Sequence, residues 1–158
     1  MGYNGHKMIK GTKIHVAVSK EGMPLSIEIS AANDQDSPYF IDLVDKISLK
    51  GERGRPRTRP DEVNADPAYD SDEIRSYLRG RGIKSNIPVN KRNRKFPKRG
   101  RPTRLDKDGY MRNRSAVERF NAWIESFKRI LVRFERLAIC FMAAVNLACI
   151  RMVLRVLK

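Results

Sequence analysis

An acidic turn set between two basic loops is where the residue types and spacing of this 158-residue chain could do chemistry. In Val63-Asn64-Ala65-Asp66-Pro67-Ala68-Tyr69-Asp70-Ser71-Asp72-Glu73-Ile74, a short apolar strand runs into the turn and a helix leaves it. Ser71 is placed to cap that helix, and Asp72 and Glu73 favour its positive end. Asp66 is then left at the carboxyl tip of the strand with no capping duty, where an α/β sheet presents its functional groups. The loop at 50–59 carries Arg53, Arg55, Arg57 and Arg59, and the loop at 91–104 carries Lys91, Arg92, Arg94, Lys95, Lys98, Arg99, Arg101 and Arg104. A purely electrostatic anion-binding surface would not keep an acid between them. An anionic substrate beside a retained carboxylate points to a metal, because hard divalent cations take oxygen ligands.

The charge balance supports an anionic partner. There are 33 Lys and Arg against 18 Asp and Glu, a formal +15, and an isoelectric point near 10.3; such an excess normally answers a polyanion, with nucleic acid first. The rival is a membrane surface. The longest apolar run, Leu137 to Ile150, holds Asn146 and stops at Arg151, short of the roughly 18 residues of a span, and reads as a buried helix. His6 stands where a myristoylation pattern needs Ser or Thr, and no signal-peptide segment follows, so a cytoplasmic protein with no membrane partner is expected. Cys140 and Cys149 fall in the apolar helical run with no His or Cys cluster nearby and read as buried thiols without chemistry. At this length the chain is expected to be one domain, burying roughly 70% of its unfolded surface.

The elements that must position these residues follow in order. Residues 1–10 show no apolar period. From Thr12, Ile14, Val16 and Val18 alternate, Lys20-Glu21-Gly22 turns, and Leu25, Ile27 and Ile29 alternate again, which predicts an antiparallel hairpin with one buried face and His15 on the outward side. Asp36 or Ser37 with Pro38 opens a helix over 38–48, striped by Phe40, Ile41, Val44 and Ile47 and packed on the hairpin. A strand at 61–66, a helix from 71 to about 80 closed by Gly80 and Gly82, and a strand at 83–88 form a strand-helix-strand unit with a parallel pair. From Arg112 the residues Val117, Phe120, Ile124, Phe127, Leu131 and Phe134 make one helical stripe, with Trp123 at its flank as core. A last helix over about 135–157 is apolar almost all round in its first half and is expected to lie sandwiched. The fold class is α/β, closing in helices.

The order of these elements and several short motifs resemble the catalytic domain of insertion-sequence DDE transposases of the IS-four and IS-five group. Lys10-Gly11-Thr12-Lys13-Ile14-His15-Val16-Ala17-Val18 and Gly22-Met23-Pro24-Leu25 resemble that family's second and third strands, and Ala32-Asn33-Asp34-Gln35-Asp36-Ser37 the loop after them. Ala65-Asp66-Pro67-Ala68-Tyr69-Asp70-Ser71 resembles the segment bearing the second catalytic aspartate, and Val117-Glu118-Arg119-Phe120 the segment bearing the catalytic glutamate. The resemblance implies an RNase H-like mixed sheet flanked by helices, with Asp66 and Glu118 as two of three acids and Mg2+ or Mn2+ as cofactor. It further implies DNA as substrate, both insertion-sequence ends and target, with Arg114 handling phosphate. Pro67 stands where the family has a polar residue, Met111 at its tyrosine position and Glu125 at its lysine position. Its first aspartate, on a central first strand, has no counterpart here, so the chain resembles an amino-terminally truncated domain with an exposed edge or gap in its sheet.

Two-metal phosphoryl transfer uses several carboxylates because ions about 3.5–4 Å apart repel strongly. Asp66 and Glu118 alone predict weak metal binding and little catalysis by this chain by itself. The competing reading is a non-catalytic nucleic-acid-binding remnant or regulator that pairs with a full-length transposase or forms a homo-oligomer. An RNA-binding or ribosomal protein explains the charge but not the acidic turn.

Overall fold

The computed structural model describes residues 2–4, 8–92 and 103–156. It divides into two compact units, Met1–Gln35 with Ser115–Lys158, and Asp36–Arg114.

The first unit is built on a three-stranded antiparallel sheet in the order β1-β2-β3, with β1 Gly2–Asn4, β2 Ile9–Val18 and β3 Pro24–Ala31. The hairpin forms where the alternation places it, and its register pairs Ile14 with Ile29 and Val16 with Ile27. β1 falls in a segment without apolar period and pairs through Tyr3 with Lys10; backbone hydrogen bonds of an edge strand leave no mark in hydropathy. The apolar side chains Ile14, Val16, Val18, Ile27 and Ile29 pack against a core of Phe120, Ile124, Ile130, Phe141, Val145, Ala148 and Cys149.

His15 departs from its expected place at the surface. It is 5% exposed, and its Nε2 lies 2.7 Å from the Ser30 hydroxyl, one step diagonally across the hairpin. Alternation assigns a side chain to a face, and here the polar face is covered as well, with Ser26 also buried.

The helices of this unit also differ from one continuous stripe. α3 spans Lys107–Ile124, after which Ser126 and Phe127 turn back on Trp123 and Ile124 and a short helix follows at Lys128–Leu131. The stripe therefore breaks: Phe120, Ile124 and Ile130 are buried, Trp123 and Phe127 pack edge to face at 4.8 Å against the core, and Val117, Leu131 and Phe134 are exposed. The last helix, Ala138–Val156, buries one face through Phe141, Val145, Ala148 and Cys149 and leaves Leu147, Ile150 and Leu154 outward, so it is not sandwiched among the described residues. At 19 residues it is long and apolar enough to cross a membrane by length and composition, although its buried face belongs to the hairpin core. Cys149 is buried, and burial pushes its thiol up to about 11; Cys140 is exposed, against expectation, because it lies one residue off the buried face.

The second unit holds α1 Tyr39–Asp45, β4 Glu62–Asn64, α2 Asp72–Gly80 and β5 Lys84–Asn86. Ser71 caps α2 by accepting from the Ile74 amide at 3.2 Å, worth about 1 kcal/mol. Gly82, at φ +65°, turns the chain back into β5, which pairs parallel to β4 across the α2 crossover. Phe40 and Val44 of α1 join Ile74, Leu78, Ile83 and Ile87 in this unit's own core, so α1 packs with α2. The α1 start has no side-chain cap.

Among the described residues the single mixed sheet is not formed: β1-β2-β3 and β4-β5 are two separate sheets, in which β2 has partners on both sides and β1, β3, β4 and β5 each have one. The mixed α/β class stands.

Candidate active site

Asp66 lies two residues beyond β4, exposed, where the extended backbone enters a single 3-10 turn at Pro67–Tyr69. Its side chain makes no cap hydrogen bond. Instead it accepts from the Tyr110 hydroxyl, with Oδ1 3.0 Å away. Tyr110 is itself buried, and the burial, followed by the hydrogen bond to Asp66, raises its phenol above the ordinary value. Tyr69, whose ring lies 5.5 Å from that of Phe40, is pushed up to about 12 by burial and then by the charges of Asp36 and Asp66.

Tyr110 is the functional neighbour that sequence reasoning missed. The family's tyrosine position falls on Met111, which is exposed, whereas the tyrosine one residue earlier is buried. What aims it is a lock between β4, β5 and the start of α3. Asn86, 1% exposed, donates to Asn64 Oδ1 at 2.7 Å and to Asp106 O at 3.1 Å, while its Oδ1 accepts from the Asp106 amide at 3.0 Å. Asp106 then caps the helix by accepting from the Gly109 amide at 2.9 Å. Two strands thus grip the first turn of α3, and Tyr110 follows one turn on.

Asp70 has a different task. Its carboxylate is buried, receives Arg75 Nε at 2.6 Å, and accepts from the Asn90 amide at 2.8 Å; Arg75 also donates to Ile87 O at 2.8 Å. This ion pair ties the acidic turn to α2 and to the root of the second basic loop. Asp70 is therefore spent on structure, and of the acids in this turn Asp66 is the exposed one held by a phenol.

Arg53, Arg55, Arg57 and Arg59 are all exposed, but they divide into two kinds. Arg57 pairs with Asp61 at 2.5 Å and Arg59 approaches Arg81 O at 3.5 Å, whereas Arg53 and Arg55 sit at the loop tip. Lys91 and Arg92 are exposed at the start of the other loop; Arg94, Lys95, Lys98, Arg99 and Arg101 lie outside the described residues, as does His6. Arg114 is exposed on α3, close enough to Tyr110 for its charge to act on the phenol. Glu118 is exposed on the part of α3 that belongs to the first unit, Asp66 in the second.

The Asp66 carboxylate has the donor chemistry for Mg2+ or Mn2+, and its Oδ1 is engaged by Tyr110. Among the described residues, however, no three His, Cys, Asp or Glu side chains converge to hold a metal ion.

Residues 1–153 match the family described as the transposase DDE domain, and the chain belongs to that family. It is 36% identical over 140 residues to a protein named as a transposase for insertion sequence element IS402 of Burkholderia cepacia, a match covering 88% of this chain and 61% of the relative. It is also 31% identical over 144 residues to one named as a transposase for element IS6501 of Brucella ovis, covering 91% and 98% respectively. The chain thus spans about three fifths of the first relative's length and nearly all of the second's. No solved structure matches it.

Proposed function

We propose that this chain acts in DNA transposition by binding insertion-sequence DNA and supplying Asp66 and Glu118 to metal-dependent strand cleavage and strand transfer. The observation that supports it best is the exposed Asp66 carboxylate at the carboxyl end of a parallel β pair, oriented by the Tyr110 hydroxyl, in a chain matched along 1–153 by the transposase DDE domain. Asp66 and Glu118 would be the oxygen donors to a divalent cation, which when bound would supply activation of a water or a 3′ hydroxyl and stabilisation of the leaving oxygen. The chain's own part is to present Asp66 and Glu118 as oxygen donors and to hold phosphate with Arg114 and the basic loops.

The test is a thermal-shift and metal-titration series on the wild type, Asp66→Ala and Glu118→Ala, repeated with an aspartate-bearing first strand grafted onto the amino terminus. Magnesium or manganese should stabilise the wild type and neither variant. The grafted protein should cleave a labelled insertion-sequence end, and either substitution should abolish the cleavage. Cleavage that survives loss of Asp66 would overturn the assignment.

A second reading, a DNA-binding regulator that does not cleave, is favoured by the lack of a three-residue metal cluster among the described residues. Salt-dependent DNA binding without metal stabilisation, in the ungrafted and grafted proteins alike, would select it.

A further inference from the structure

The tip of the first basic loop is held out on a built base. Leu49 and Arg57 exchange both backbone hydrogen bonds, at 2.9 and 2.8 Å, and close a seven-residue loop. Beneath it, Arg81 donates to Thr58 O at 3.1 Å and is held by Asp45 at 2.5 Å and by the Tyr77 hydroxyl at 2.7 Å, while Tyr77 donates to Asp45 at 2.7 Å. Arg57 pairs with Asp61. Arg57 and Arg59, with Arg81, thus also brace the base of the loop, and Arg53-Gly54-Arg55-Pro56 projects, with no ion-pair partner for Arg53 or Arg55 among the described residues. Gly54 turns the tip at φ +92°, and a Cβ placed on it would meet nothing within 4 Å. The same tetrapeptide recurs in sequence as Arg99-Gly100-Arg101-Pro102, outside the described residues.

From this geometry we infer that Arg53-Gly54-Arg55-Pro56 is a minor-groove reader selective for A/T-rich duplex DNA. The inference rests on the DNA-binding part of the function proposed above. A minor groove about 6 Å wide excludes a helix, and what the closed loop offers it is the turned tip alone. A glycine between two arginines removes the side chain that would keep the backbone off the groove floor. Pro56 has no amide hydrogen to leave without a partner there. The guanidinium is a donor-only group: it finds the adenine N3 and thymine O2 acceptors of A·T pairs, while the guanine N2 amino group of G·C pairs presents a competing donor. A/T tracts also narrow the groove and deepen its negative potential, which favours the weakly hydrated Arg over Lys. The φ +92° turn already calls for Gly54; what phosphate contacts alone would not call for is the guanidinium, since lysine serves there as a point charge. Glu52, exposed beside Arg53, opposes any polyanion equally and gives no selectivity.

The test uses the full chain with two fluorescent duplexes of equal length, one A/T-tract and one G/C-only, at fixed salt. Binding to the A/T duplex should be tighter by about tenfold, and netropsin, which fills the minor groove, should displace the protein from it. Arg53→Lys with Arg55→Lys keeps the charge and should bring the ratio close to one while G/C binding persists. Glu52→Gln should strengthen binding to both duplexes alike. A wild-type ratio near one, insensitivity to netropsin, or an unchanged ratio in the lysine variant overturns the inference and leaves general DNA binding standing. No binding to either duplex at low salt overturns the DNA-binding reading with it.

Discussion

The Tyr110 hydroxyl donates to Asp66 Oδ1 at 3.0 Å, joining residues 44 positions apart in sequence. Tyr110→Phe removes this bond without changing the packed ring, and it should cost about 0.5–1.5 kcal/mol, the usual net value of one hydrogen bond. In ultraviolet titration, Asp66→Ala should let Tyr110 ionise at lower pH than in the wild type. It should remain above an ordinary phenol, because burial is the larger cause of its raised value. A Tyr110 titration unchanged by Asp66→Ala would show that the contact is not maintained in solution.

Stability should fall on the alkaline side in a defined window. Tyr69 is pushed up to about 12 and Tyr77 and Tyr110 are raised as well, each with burial as the first cause. A phenol with a raised folded-state pKa holds its proton more tightly when folded. Its contribution is therefore complete below the unfolded value near 10 and is lost as pH rises from there through the folded value. Urea midpoints should drop between about pH 10 and 12, and Tyr69→Phe should flatten that drop.

Asp66 and Asp70, four residues apart, should separate by assay. Asp70→Ala leaves Arg75 buried without its charge partner and should cost roughly 3–5 kcal/mol, seen as a lower denaturation midpoint. Asp66→Ala touches an exposed group and should cost no more than about 1 kcal/mol, while removing metal stabilisation. The opposite pattern would exchange the roles assigned here.

Asn86→Ala should reach the site indirectly. It removes the bonds to Asn64 Oδ1 and to both backbone groups of Asp106, the Asp106 carbonyl keeping only the Tyr110 amide, at about 0.5–1.5 kcal/mol for each bond lost. Because the start of α3 is then released, Tyr110 should titrate as it does in Asp66→Ala, although Asn86 touches neither residue of that pair.

Much of this arrangement could be read from the chain. Alternation marked β2 and β3, Ser71 and Gly82 marked the ends of α2, and the turn after β4 singled out Asp66, since each is a local signal. What escaped is long-range. Nothing near Asn86 announces that it grips Asp106 twenty residues on, and nothing near Met111 directs attention to Tyr110. Periodicity assigns side chains to faces but not which faces are covered, hence buried His15 and exposed Cys140. The end of α3 was hidden for another reason: no Gly or Pro lies between Ile124 and Lys128, and the break is made by Ser126 and Phe127 turning back on Trp123 and Ile124.

The outward ridge of Leu147, Ile150 and Leu154 on the last helix makes ionic strength act in two opposed directions on this protein. At about 0.01 M salt, where charges are felt over roughly 30 Å, the +15 of each copy holds neighbouring copies apart and the ridge stays wet. At about 1 M the reach shrinks to roughly 3 Å, and apolar ridges are free to meet. If the protein binds DNA as proposed, the concentration of salt that strips the DNA away is thus the one that invites self-association. A polar substitution on the ridge, Ile150→Gln for instance, should uncouple the two and keep the DNA-free protein dispersed in high salt.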